Sequence, residues 1–329
     1  MAITGSGTQA DPWKVHSYDE LKTATTNRTY LPNYGKAWTI LDADINCNDY
    51  GSNFEWETIN LGATGSYSTP YGAMSLDLNG HVIKNIALKK DNSLFNANFS
   101  ASNNGDAEFK GNGKILNVFT QPNSTAYLII GRGASSVISN LSLSISLGKL
   151  ATGVFLNTHV QNSAMYIQQA ETSSSGALIL YNDNNVSSDA LCKLVNCDVL
   201  LDIGAQRVCL TNSYHASATY VGIDNCRLRG KVSSTGLPRW CICPFVVANS
   251  VIDIDYTESS WTSSLSPLTR ELMRTGSSGV INWDKRASDQ PSDNPGIYTC
   301  GMAGVSNQDI INGAALRGAG FTVVNVVGG

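Results

Sequence analysis

The chain of 329 residues carries a formal net charge of -4, with 42% hydrophobic and 15% charged residues. That balance offers no broad basic field for nucleic acid, no apolar run of ~18 residues to span a membrane, and too few charges for long amphipathic helices. An abundance of Ser, Thr, Asn and Gly suits many short strands and turns instead, in one large domain or two smaller ones.

The opening Met1-Ala2-Ile3-Thr4-Gly5 has neither the basic nor the apolar stretch of a secretory signal. The expectation is a chain folded in a cytoplasm, with a signal removed beforehand as the alternative. Turn-rich Gly5-Ser6-Gly7-Thr8 and Asp11-Pro12-Trp13 lead to Ser17-Tyr18-Asp19-Glu20, a capping box that predicts a short helix through about Thr25. A helix there would cover the first strand edge, which would otherwise stay unpaired. Strand signals come next, at Trp38 to Ile45 and around Glu57 to Leu61.

From Ile83 onward a phrase repeats. It reads Ile83-Lys84-Asn85-Ile86-Ala87-Leu88, Ile138-Ser139-Asn140-Leu141-Ser142-Leu143, Leu194-Val195-Asn196-Cys197-Asp198-Val199, Ile223-Asp224-Asn225-Cys226-Arg227-Leu228 and Val247-Ala248-Asn249-Ser250-Val251-Ile252. Looser copies surround Asn117 and Asn162, while Asn212 lies too close to its neighbours for a full coil and reads as a chance match. Inward positions fall two residues before each asparagine and one and three after it, so the alternation changes phase there. A strand can do that only by bending, and asparagine suits the bend because it bonds nearby backbone and tolerates unusual backbone angles. The steps 117 to 140, 140 to 162 and 225 to 249 are 23, 22 and 24 residues. Each is one coil of a parallel solenoid whose coils stack at ~4.8 Å. Asn85, Asn117, Asn140, Asn162, Asn196, Asn225 and Asn249 are thus predicted to form a structural ladder.

Gly111-Asn112-Gly113-Lys114-Ile115-Leu116-Asn117 repeats the Asn79-Gly80 turn and the strand after it, one residue shorter. Leu141 to Leu147 is the cleanest period-two strand, with its serine face outward. The coil signal fades from Tyr256 to Thr299, where Ser266-Pro267 predicts a short helix to Arg274. A long stretch without repeats reads as an interaction element. A small helix from Ser306 to Arg317 and an apolar strand from Phe321 to Val327 then close the chain. The divisions are 1-35 N-terminal cap, 36-255 parallel β-helix, 256-299 coil-less interaction segment and 300-329 C-terminal cap.

Eight cysteines occur, six of them between 192 and 243, and Cys197 and Cys226 occupy the same position after their asparagines. They read as reduced, small hydrophobes inside the coil. The lone Cys241-Ile242-Cys243 and four scattered histidines lack metal-ligand spacing, so no cofactor and no metal are expected.

Gly5-Ser6-Gly7-Thr8-Gln9-Ala10-Asp11-Pro12-Trp13, followed by Ser17-Tyr18-Asp19-Glu20-Leu21, resembles the opening of β-helical surface proteins of gut bacteria and their tailed phages. Leu78-Asn79-Gly80-His81-Val82-Ile83-Lys84-Asn85-Ile86 is similar to the recurring coil of the same pectate-lyase-like solenoids. The resemblance covers roughly 5 to 255 and implies an all-β fold, a right-handed parallel β-helix with a short N-terminal cap helix and a C-terminal helix-strand cap. It implies as function a structural or adhesive protein of the virion surface, as fibre, spike component or capsid decoration, assembled in the host cytoplasm. The expected partners are other virion proteins, a host glycan and two further copies in a homotrimer, without membrane insertion. A polysaccharide lyase or depolymerase and a bacterial adhesin are the alternatives.

Enzymes of that kind need an acidic calcium cluster with a basic proton acceptor, or paired carboxylates. Asp253 and Asp255 on one strand face, Asp224 one coil earlier, and Arg227 or Arg229 are the candidates, set against the simpler reading of solvent-facing charge. Carbohydrate contacts need aromatic faces. Tyr30, Tyr34, Trp38, Tyr50, Trp56, Tyr67 and Tyr71 cluster early, where they equally suit a plug for the solenoid end. Trp240, Trp261, Trp283 and Tyr298 cluster late and are the binding candidates.

Overall fold

A strand whose inward face changes sides at an asparagine can continue only if that residue takes a backbone conformation closed to most others. In the computed structural model Asn85, Asn117, Asn140, Asn162, Asn196, Asn225 and Asn249 all have φ between 49° and 60°. This left-handed region disfavours ordinary L-residues by about 1–2 kcal/mol and is relieved by asparagine's short polar side chain. The structure describes residues 3–27, 36–62, 73–97, 107–121, 124, 127–131, 137–148, 153–169, 177–182, 192–205, 209–213, 221–234, 247–258, 279–282 and 303–305, some of the later ones by backbone alone. The helices expected at 266–274 and 306–317 and the strand expected at 321–327 lie outside these residues.

The bends wind the chain into a solenoid in which the strands of successive coils pair in parallel. Three long strands, Val82–Leu88, Gly111–Thr120 and Val137–Leu147, pass through a bend unbroken. In later coils the bend separates two strands, as in His159–Gln161 with Ala164–Gln169, Cys192–Val195 with Asp198–Ala205, and Val221–Asp224 with Arg227–Ser234. Val247–Ala248 and Ser250–Glu258 share the same plan. All of these belong to one 14-stranded sheet folded around the axis. A 6-stranded sheet closes another side, from Ile59–Asn60 through Phe95–Asn96, Ile129–Ile130 and Phe155–Leu156 to Ala177–Asn182 and Cys209–Ser213. Asn212 sits in the last of these strands, away from the bends. A 4-stranded sheet of Trp13–Val15, Ala37–Leu41, Met74–Asp77 and Glu108–Phe109 forms the remaining side of the first coils.

The inward positions predicted from the phase change are the core. Ile83, Ile86, Leu88, Ile138, Leu141, Leu143, Leu194, Cys197, Val199, Ile223, Cys226 and Leu228 are buried, and the serines of Val137–Leu147 lie half-exposed on the other face. The capping box also forms. Helix Tyr18–Asn27 begins with the Ser17 hydroxyl accepting the Glu20 N–H at 3.1 Å. The returning bond from Glu20 reaches one residue further than the pattern implies, to the N–H of His16 at 2.8 Å. This helix packs on the first strand of the 6-stranded sheet and so covers its edge. Under it, Tyr18, Tyr50, Phe54, Trp56, Phe95 and Phe109 make a continuous run of ring contacts into the solenoid. Tyr50 and Trp56 are thus end plugs, and Tyr30, Tyr34, Tyr67 and Tyr71 lie outside the described residues.

The asparagines form two rows instead of one. Strand pairing places Asn117 beside Asn85, and Asn117 Nδ2 donates to Asn85 Oδ1 at 3.1 Å across 32 residues. The same pairing places Asn140 beside Asn112, with Nδ2 donating to Asn112 Oδ1 at 3.0 Å across 28 residues. The interval of 23 residues between Asn117 and Asn140 is therefore not a coil. Strand Gly111–Thr120 carries both bends, and both Asn112 and Asn117 have positive φ. The row of Asn79 and Asn112 continues through Asn140, Asn162, Asn196, Asn225 and Asn249, while the row of Asn85 and Asn117 stops at a register shift between Leu143 and Ile145. One corner is thus lost between strands Gly111–Thr120 and Val137–Leu147, which is why Leu141 to Leu147 alternates so cleanly.

The ladder of the parallel sheet also extends past residue 255. Gly279–Asn282 pairs with Ser250–Glu258, and Ala303–Val305 pairs with Gly279–Asn282. Among the described residues, the stretch read as coil-less therefore contains the end of Ser250–Glu258 and the strand Gly279–Asn282 of the solenoid.

Candidate functional site

The bends leave two rows of side chains facing outward along the axis, and chemistry-bearing residues gather at two places on them. The first is on the strands just after the bend in the later coils. Two residues after its asparagine each strand points outward, so Asp198 and Arg227 are neighbours in register, and two residues further Arg229 and Asp253 are neighbours. Arg229 Nε donates to Asp198 Oδ1 at 3.1 Å, and the Asp198 side chain is only 1% exposed. Asp253 is buried as well. Asp198 Oδ2, Arg227 Nε and Arg229 Nη2 are buried and lack a hydrogen-bond partner among the described residues. Orphaned buried polar atoms of this kind cost about 1–3 kcal/mol each, and both carboxylates of the cluster are buried while its arginines are half-buried.

Of the residues singled out in the sequence, the structure thus brings Asp253 and Arg227 into one charged patch, completed by Arg229 and by Asp198, which the sequence pattern did not single out. Asp198 directly follows the phrase's inward cysteine, a position that alternation marks as outward, and that was its only signal. Asp224 does something else, accepting from Asn249 Nδ2 at 3.2 Å as part of the corner row. The backbone of Asp255 pairs with that of Lys231. Trp240, Trp261, Trp283 and Tyr298 lie outside the described residues. Among the described residues no three His, Cys, Asp or Glu side chains come close enough to hold a metal.

Three histidines lie among the described residues. His16 lies between Glu20, 3.0 Å from its Nδ1, and Asp42, 3.3 Å from its Nε2, while His81 Nδ1 meets Asp44 at 3.1 Å. The backbone N–H of Val82, together with His81, holds the Asp44 carboxyl below the usual range. Burial, with Lys193 nearby, holds His159 below the ordinary histidine range. Cys47, Cys197 and Cys226 are free thiols, and burial pushes Cys47 up to about 12.

The cysteines after the bend are more than small hydrophobes. Cys226 Sγ accepts the N–H of Cys197 at 3.3 Å and donates to Asp224 O at 3.2 Å. Ser250 Oγ does the same for Cys226, accepting its N–H at 3.0 Å and donating to Ala248 O at 2.7 Å, and Ser163 serves the N–H of Leu141 at 3.1 Å. The residue after a left-handed asparagine turns its N–H into the core, and a hydroxyl or thiol in the next coil satisfies it.

The second place is on the side before the bend, where the 4-stranded sheet ends. Glu108, Lys110, Asn112, Val137, Ser139 and Asn140 line an open cleft of about 390 Å³. Lys36 Nζ lies 2.8 Å from Glu108 Oε1, and the Ser75 hydroxyl donates to Glu108 Oε2 at 3.1 Å. The ammonium groups of Lys36 and Lys110 stand 4.8 and 4.5 Å from the centre of the Trp38 ring. Alternate spacing in Lys36-Ala37-Trp38 and Glu108-Phe109-Lys110 is the sequence signal for this group, because residues two apart on a strand share a face.

Comparison with protein-family models, with curated proteins and with solved structures finds no match to this chain.

Proposed function

We propose that the chain is a right-handed parallel β-helix serving as a structural or adhesive protein of a tailed-phage virion surface, as a fibre or spike component or a capsid decoration. It assembles in the host cytoplasm as a homotrimer and binds other virion proteins or a host glycan. The observation that carries this reading is the self-sufficiency of the coils. Corner side chains bond to the neighbouring corner, and the hydroxyls and thiols inside the bend accept from the preceding coil's backbone. Such a stack is a rigid rod with polar faces, suited to presenting contacts outside a particle. The test is proteomics and electron microscopy of purified virions with and without the gene. The chain in the particle and a lost surface feature are expected; unchanged particles would overturn the reading.

A second reading, a polysaccharide lyase or depolymerase, is favoured by the buried patch of Asp198, Arg227, Arg229 and Asp253, with the unpartnered atoms of its first three members. Release of unsaturated or reducing sugar from capsular polysaccharide, lost in Asp253→Ala, is its expected signature; no product from any host polysaccharide would remove it.

A further inference from the structure

We propose that the cleft beside Trp38 is a saccharide site that takes a carboxylate-bearing sugar unit of a surface glycan. This rests on the adhesive half of the reading above and gives that half a location.

The lining alternates hydrogen-bond donors and acceptors at a solvent-open surface. Among the described residues Lys110 makes no ion pair of its own, Glu108 being paired with Lys36 at 2.8 Å and the Asp77 carboxylate accepting from Asn112, and its ammonium rests on the Trp38 ring with hydrogens to spare. Ser139 Oγ accepts from Gln161 Nε2 at 2.9 Å, so its own proton is free to donate. Asn140 spends its Nδ2 on Asn112 at 3.0 Å, which leaves its carbonyl oxygen as an acceptor on the cleft wall. Asn112 is held from both sides, donating to Asp77 Oδ2 at 3.1 Å, so the wall is fixed before any ligand arrives. Val137 supplies an apolar patch. Vicinal ring hydroxyls each donate and accept, ring C–H faces are apolar, and a uronate-type carboxylate can accept from the Lys110 ammonium. A cleft of about 390 Å³ also exceeds the needs of a lone ion and falls in the range of small-molecule sites. The built wall and the mixed polarity fit a sugar better than a hydrophobic ligand.

The experiment is binding of the full-length chain to an array of bacterial capsular and lipopolysaccharide oligosaccharides with uronate-containing and neutral members, followed by titration of the strongest acidic binder. Lys110→Ala and Ser139→Ala are each expected to weaken binding by about tenfold or more with an unchanged melting temperature, and carboxyl reduction of the sugar should weaken it comparably. Ligand binding should also change indole fluorescence as Lys110 leaves the ring, a change lost in Trp38→Phe. Binding that survives both Lys110→Ala and Ser139→Ala overturns the cleft while leaving the adhesive reading in place. Failure of every array member to bind overturns the cleft and the adhesive half together, and leaves the virion assignment to microscopy.

Discussion

The first coils and the later coils are held by different means although their strands pair alike. Before Leu147 the solenoid has two rows of asparagine corners, an aromatic run through its interior and a helix over its end. After Val154 it has one corner row, an inner line of serine and cysteine, and buried charges outside. The difference teaches that the bend is the constant and the filling is free. A left-handed asparagine recurs along the long row from Asn79 to Asn249, whereas the N–H turned inward after it and the space it encloses are served by different groups.

Substitutions can break this contrast, and the largest effect belongs to the aromatic end. Trp56 is fully buried, and its Nε1 donates to Leu94 O at 3.2 Å. Trp56→Ala should cost about 3–5 kcal/mol in denaturant unfolding; a cost below about 1 kcal/mol would show that the run of rings is not what fills these coils. Next come the glycines. Gly230 has φ +109°, and a Cβ there would collide with the carbonyl of Leu201, whereas Gly80 has φ +84° with open space around it. Gly230→Ala is expected to cost about 1–3 kcal/mol more than the backbone term alone, from overpacking against Leu201, with Gly80→Ala paying only that term; equal losses would contradict the close stacking of the later coils.

The inner line gives a third test. Ser250→Ala strands the N–H of Cys226 in the core and should cost about 1–3 kcal/mol. Ser250→Cys should recover most of it, because Cys226 already performs that task for Cys197. No difference between alanine and cysteine would reduce the line to packing alone.

The smallest effect is a pH dependence confined to the first coils. Glu57 receives Lys22 at 2.8 Å and Lys89 at 2.6 Å, and these hydrogen bonds hold its carboxyl down at about 2. A carboxyl whose folded pKa is lowered favours folding above its unfolded value, and that contribution is lost as the pH falls from there towards about 2. Glu57 is exposed and so are its partners, so the effect is modest. The melting temperature of the wild-type chain should fall faster than that of Glu57→Gln below pH 4.5; parallel curves would remove the ion network from the account.

The solenoid and its inward residues were legible because the phase change at asparagine is a local fact. The cap helix was legible for the same reason, in Ser17 and Glu20. The row assignment was not, because Asn85, Asn117 and Asn140 obey one phrase while standing at two corners. The earlier members of the long row, Asn79 and Asn112, escape the phrase because Asp77 and Lys110 stand two residues before them and Gly80 and Gly113 one after, where the phrase has inward apolar residues. Which asparagine stacks on which is set by pairing between coils, and loops of unequal length hide that from the sequence. The charged patch and the cleft were only partly legible for a similar reason. Asp198 meets Arg229 across 31 residues, and Lys36 meets Glu108 across two coils, so neither pair has a short spacing to announce it.

The stacking of Asn140 on Asn112, and not on Asn117, is the claim on which the description of the coils depends. Double-mutant cycles with alanine at the two pairs test it directly, since the strain of each bend belongs to the single variants and cancels. A coupling of about 0.5 kcal/mol or more is expected between Asn112 and Asn140, and none beyond error between Asn117 and Asn140. Coupling of Asn117 to Asn140, with Asn112 independent, would contradict it.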